Sequence, residues 1–230
     1  QEVMHAFETG DHNGTPVLWT LSEPYGASDW WPSKEDLFDK ADSIDLFVSV
    51  PYGNRAAGNG VLVDSIPGNA QVTYHWKHRH PIAHYLVATA VTNYTAYSDF
   101  AYLPNDTVEV LNYVYPEEVQ DAQNITAQCA SQIQLYSQLF GTYPFADEKY
   151  GHARFGWGGG MEHQTMTGQG DDPVALHHGD GQGGDGQGRQ EISQRNRQDK
   201  DQGHERADDP DHAVAHGAEH EAEPRCRHFL

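Results

Sequence analysis

Along residues 44–50, Ile44, Leu46, Val48 and Val50 recur at every second position, the period of a half-buried strand. Pro51-Tyr52-Gly53-Asn54 then punctuates the chain, and Asn59-Gly60 marks a tight turn before Val61-Leu62-Val63. Pro67-Gly68-Asn69 closes that strand, and Val72, Tyr74 and Trp76 alternate along the next. From Ile82 to Val91 the chain is almost continuously apolar and rich in β-branched residues, which predicts a strand covered on both faces. Short strands separated by Gly, Pro and Asn turns at this spacing predict a β-sandwich.

The period changes after Pro104-Asn105-Asp106. Val108 to Tyr115 reads as one more strand. From Glu117 onward Val119, Ala122, Ile125, Cys129, Ile133, Tyr136 and Phe140 recur every three or four residues, the stripe of an amphipathic helix. Glu117 and Glu118 suit its start, and Gly141 followed by Pro144 suits its end. Lys149 to Trp157 returns to a strand-like run that leads into Gly158-Gly159-Gly160.

Composition divides the chain again. Of its 25 aromatic residues only Phe229 lies beyond Thr167, so the first 167 residues can bury a core and the rest cannot. The expected organisation is therefore mostly β: a partial sandwich over 1–103, the opening of an α/β or α+β piece over 104–167, and a low-complexity, disordered tail over 168–230. The change after Thr167 is abrupt enough to suggest a reading-frame shift there. Translating the other two frames past that codon tests the idea, and finding no folded-looking sequence in them would sink it. The start at Gln1, with no initiator Met or signal peptide, reads as a fragment or a processed product.

The net charge of −20 changes the choice of partners. It splits into −13 before residue 168 and −7 after it, so neither part offers the basic surface that a phosphate backbone needs, and nucleic acid is not expected. No apolar run reaches membrane length. Cys129 and Cys226 alone support no disulfide framework.

Two segments carry chemistry. One is Thr20-Leu21-Ser22-Glu23-Pro24-Tyr25-Gly26-Ala27-Ser28-Asp29-Trp30-Trp31-Pro32; the other is Gly159-Gly160-Met161-Glu162-His163, preceded by Tyr143-Pro144-Phe145 and Lys149-Tyr150. Taken alone, the glycines are a mobile turn, Glu162 a solvated carboxylate and Glu23 a loop charge. Trp19, Trp30 and Trp31 read as core or domain-junction packing. In this order and at this spacing, however, the two segments resemble the aminopeptidase N family of zinc metallopeptidases over roughly residues 1–167. That family carries a Thr-x-x-Glu-Pro segment in its N-terminal β-sandwich and a Gly-Ala/Gly-Met-Glu-Asn strand in a thermolysin-like catalytic domain. Here His163 stands in place of the Asn, and Ser28 in place of an Arg.

The resemblance implies that Glu162 is the principal carboxylate for a substrate's free α-ammonium and Glu23 a second one, reaching in from the sandwich. Charge-assisted hydrogen bonds in a partly desolvated cleft would do this work. Gly159, Gly160 and Met161 would form a strand edge along which a peptide main chain pairs without side-chain obstruction. The implied partners are peptides with a free N-terminus, the implied cofactor of an intact member is zinc, and the implied location is secreted or cell-surface.

The catalytic part is what the sequence lacks. The family's zinc helix carries His-Glu-x-x-His, with a later Glu as third ligand, and no such motif occurs in this chain. His80 and His84 stand four apart, but on a strand that separation is about 13 Å, too far for one metal. His216-Gly217-Ala218-Glu219-His220 has inverted zincin spacing without a helical pattern around it and is expected to be coincidental. The chain is thus expected to bind no catalytic zinc and to be inactive alone. The rival reading is a non-catalytic sandwich module for a peptide or surface partner, which would show a complete sandwich and no partial α/β piece after residue 104. A third is a His-rich acidic tail that buffers metal ions.

Overall fold

In the computed structural model, which describes residues 6–156 and 158–170, the strands form three sheets. The first is antiparallel, in the order β1 (Phe7–His12), β2 (Thr15–Thr20), β7 (Thr89–Thr92), β4 (Arg55–Gly58). The second sets β6 (Gln71–His78) between β3 (Ile44–Pro51) and β5 (Val61–Pro67). The alternation read at 44–50 and 72–76 appears as pairing of Leu46 with Trp76, Val48 with Tyr74 and Val50 with Val72. Leu46, Val50, Tyr74 and Trp76 face inward against Val17, Trp19 and Ala57 of the first sheet, forming the expected sandwich.

The third sheet is mixed: β11 (Gly160–Met161), β12 (Thr167–Gln169), β10 (Tyr150–Arg154), β9 (Thr107–Val114), β8 (Thr95–Tyr102). β10 runs parallel to β9 and β12, while the outer strands β8 and β11 run antiparallel to their neighbours. Between β9 and β10 lie α1 (Val119–Thr126) and α2 (Cys129–Phe140). Ala130 and Ile133 of α2 rest on Ala101 and Val108 of the sheet. The opposite face contributes Tyr113, Ala153 and Phe155 to the core shared with the sandwich. The described residues belong to one compact unit.

Several expectations are corrected. Ile82–Val91 is not one strand: Ile82 makes a lone bridge to Ala41, 84–86 form a short 3-10 helix, and β7 begins only at Thr89. The physical reason is Asn59, whose amide donates to Leu86 O and whose Oδ1 accepts from Ala88 N, replacing strand partners for that backbone. The expected boundary at 103/104 lies within the β8–β9 hairpin of the mixed sheet. The sheet also continues beyond Thr167, because Gly168 and Gln169 belong to β12. The helical stripe is split near Ala127–Gln128, and Tyr136 and Phe140 stay exposed instead of facing the core. Residues 171–230 of the expected tail, with the His216–His220 motif and Cys226, lie outside the described residues.

Candidate functional site

Gly159 takes φ +103°, a left-handed value that glycine tolerates and L side chains resist. Its carbonyl accepts from Gly170 N at 2.7 Å, which folds the chain back and starts β11 as the outermost strand. Gly160 pairs with Gln169 and Met161 with Gly168. One side of β11 is thus bonded to β12 and the other carries no strand among the described residues. Gly168 lets β12 lie over Phe155, since a Cβ there would meet the ring at 2.4 Å. Arg154 fixes the end of this hairpin: it forks onto Glu118 through Nε and Nη2 (2.8 and 3.1 Å) and donates to Gly170 O through Nη1.

Pleating then sorts the next residues. Met161 is buried, Glu162 is exposed and His163 is buried. Burial pushes the His163 imidazole down to about 4. His163 lines a small, partly open pocket, about 20 Å³, with Trp19, Thr20, Phe155 and Met166. Thr20, three residues before Glu23, and His163, directly after Glu162, line the same pocket.

Glu23 itself lies in a turn, exposed, after the buried Ser22 and in a cis bond to Pro24. Ser22 anchors that turn by accepting from Trp30 Nε1 at 2.9 Å and, through its carbonyl, from Gly26 N at 3.0 Å. Trp19 packs on Phe155 with ring centroids 6.3 Å apart, a junction role for the tryptophan as expected. Among the described residues neither Glu23 nor Glu162 is engaged in a side-chain hydrogen bond or ion pair. Both are exposed, which corrects the expectation of a desolvated cleft around them. A carboxylate in water attracts a cation weakly.

Behind β11, a second set of residues was missed by sequence reasoning. The turn Gln164–Thr165 is held from the sandwich side at several points. Asn59 Nδ2 donates to Gln164 O at 2.6 Å, and Gly60 N donates to Thr165 Oγ1 at 2.7 Å. Lys149 Nζ donates to Thr165 O at 2.8 Å and to Gly58 O at 3.1 Å. The Gln164 amide donates to His78 Nε2 and Pro81 O, while His78 Nδ1 donates to Glu148. Burial alone would raise the Glu148 carboxyl, but the bonds from His78 and Arg79 N–H together hold it below the usual range. Thr165 has φ +62°, a conformation costing a β-branched residue about 1–3 kcal/mol. The three bonds to its turn, at about 1 kcal/mol each, offset that cost. The only sequence signal was Asn59-Gly60, read as a turn; the left-handed Gly60 (φ +75°) confirms the turn, but the Asn side chain serves distant backbone.

No group of three His, Cys, Asp or Glu side chains that could hold a metal ion occurs among the described residues. His80 Nε2 instead pairs with Asp147 at 2.8 Å, and His84 sits in the short helix of 84–86.

No family model matches the chain, and no curated protein matches it. Solved structures do. An M1 zinc metallopeptidase from Deinococcus radiodurans aligns with a TM-score of 0.60 at 20% identity, over 74% of this chain and 38% of that one. A mutant from the same organism, bound to a Tyr-Ser-Ala substrate, aligns at 0.61 and 20%, over 77% and 40%. A two-domain M1 zinc metallopeptidase mutant bound to L-arginine aligns at 0.58 and 22%, over 71% and 37%. The chain shares its fold with M1 zinc metallopeptidases. It spans about two fifths of the length of these structures.

Proposed function

We propose that this chain is the amine-recognition portion of an aminopeptidase of the aminopeptidase N type, a zinc-dependent enzyme that removes N-terminal residues from peptides. The observation that carries the reading is the placement of Gly160–Met161 as the free outer strand of a mixed sheet, with Glu162 exposed at its end. A peptide would add to that edge through main-chain hydrogen bonds, and Glu162 would meet its α-ammonium. Glu23 is the second carboxylate, on the turn that follows β2. The substrate-bound neighbour supports a short peptide as ligand. The partial α/β sheet after β7, with its two helices, is the feature that a sandwich-only binding module would not need.

In an intact aminopeptidase of this type zinc supplies an activated water. The described residues do not fit the ion, since no three His, Cys, Asp or Glu side chains come together among them, and the chain alone is proposed to be inactive. Release of an aminoacyl reporter that a chelator abolishes would overturn the inactivity.

Titrating the full chain with Tyr-Ser-Ala and with its N-acetylated form tests the recognition. The free amine should bind about threefold to tenfold more tightly, and Glu162→Gln should remove the difference. Equal binding of the two peptides to the unaltered chain would count decisively against the reading.

A further inference from the structure

We propose that Asn59, Gly60 and Lys149 form a positioning clamp that holds the substrate strand β11 from the sandwich side, acting through the turn Gln164–Thr165. The proposal rests on the amine-recognition reading of Glu162 and assigns the clamp to that same site. Three observations converge on the turn. First, Thr165 is buried and left-handed, a backbone state that a β-branched residue keeps only when its surroundings impose it. Second, the turn's two carbonyls and its hydroxyl are each taken by a donor from far away in sequence: Asn59 Nδ2, Lys149 Nζ and Gly60 N. Third, Met166 N closes onto His163 O at 3.1 Å, so the turn is bonded directly to the residue that follows Glu162.

Each donor has its own reason to be fixed. Asn59 is 1% exposed and uses its amide and its carbonyl, donating to Leu86 O and Gln164 O and accepting from Ala88 N. Lys149 is also 1% exposed and spans the two sheets, from Gly58 O on β4 to Thr165 O. Gly60 admits no side chain, since a Cβ would meet Lys77 O at 2.1 Å. A donor set this rigid transmits the position of the sandwich to the strand three residues upstream. The Gln164 side chain, bonded to His78 Nε2 at 2.8 Å, adds a further tie from β6. Loosening the clamp therefore lets Glu162 wander relative to Glu23, although neither carboxylate touches the clamp.

The test uses the full chain and three variants. Thr165→Val keeps the side-chain shape and removes the acceptor for Gly60 N; Thr165→Ser keeps the hydroxyl; Lys149→Met removes the ammonium at similar volume. Amide hydrogen exchange is read at residues 160–161 and 167–170 and, as internal reference, at β3 and β6. In Thr165→Val and Lys149→Met, exchange of the β11–β12 amides is expected to rise about tenfold relative to the reference, and in Thr165→Ser to stay within about twofold. The preference for Tyr-Ser-Ala over its N-acetylated form should fall in the first two variants and persist in the third. Unchanged exchange, or exchange raised equally everywhere, overturns the clamp. Exchange raised at β11–β12 with an unchanged peptide preference overturns the positioning role. An unaltered chain that binds both peptides equally overturns the amine-recognition reading and this role together, and the exchange data alone then report whether the clamp orders the strand.

Discussion

Lys149 lies with its Nζ 5.0 Å from the ring centroid of Trp76, wholly enclosed, and makes its two hydrogen bonds to backbone carbonyls alone. Burial pulls its ammonium down from 10.5 to about 7, against the opposing pull of Glu148 and Glu109. A cation placed there touches carbonyl dipoles and an aromatic face directly, while the Glu148 and Glu109 carboxylates act on it from farther away.

Stability should therefore depend on pH through this one group. Between pH 7 and 10.5 the unfolded chain binds the proton and the folded chain releases it, so folding gains as pH rises and loses as pH falls through 7. The full effect is on the order of 5 kcal/mol. Tyr113, pushed up to about 12 by burial, works the other way above pH 10, so the window to observe is 7–10. Urea denaturation of the unaltered chain and Lys149→Met should show the unaltered chain gaining relative stability from pH 7 to pH 10. A pH-independent difference between them would contradict the buried-ammonium account.

Acid should destabilise the fold through two histidines. Burial lowers His152 and His163 to about 4 each, from 6.5. In the unfolded chain both take protons below pH 6.5, whereas the folded chain resists until about pH 4, so stability is lost over that interval, by roughly 3 kcal/mol for each at most. His152 Nδ1 donates to Asn112 Oδ1 at 2.7 Å, the orientation fixed because Asn112 Nδ2 donates to Val110 O. His152→Gln, which can keep a donor there, should remove about half of the pH dependence between 6.5 and 4. A slope as steep as that of the unaltered chain would show that the protons are taken elsewhere.

Much of this arrangement was readable from local pattern, and the unreadable part has a common cause. Strands β3 and β6 each bury one face in a single core, so their period survives in the sequence as Leu46 and Val50 opposite Trp76 and Val72. The outer strand Gly160–Met161 was legible only through the family resemblance, since the glycines taken alone read as a mobile turn; in the structure Gly159 is left-handed, Met161 is buried and Glu162 exposed. The run from Ile82 to Val91 misled because an apolar run reports burial and not backbone partners, and here the partner of Leu86 and Ala88 is the Asn59 side chain. Likewise Lys149 looks like any surface lysine until Gly58 and Thr165, 91 and 16 residues away, close over it. Polar groups buried by distant contacts leave no periodic trace.

Glycine substitutions separate positions that the sequence presents alike. Gly53 (φ +92°) and Gly60 (φ +75°) both turn left-handed, but a Cβ on Gly53 meets open space whereas one on Gly60 meets the backbone of Lys77 and His78 at 2.1–2.7 Å. Gly53→Ala should cost about 1 kcal/mol, the left-handed penalty alone. Gly60→Ala cannot be relieved by a side-chain rotation, because the obstructing atoms are main chain of β6, a central strand. It should cost more than about 4 kcal/mol or abolish folding. Thermal or urea unfolding of the two variants side by side makes the comparison, and equal midpoints would refute the close approach of the 58–60 turn to β6, and with it the geometry from which Asn59 and Gly60 reach Thr165.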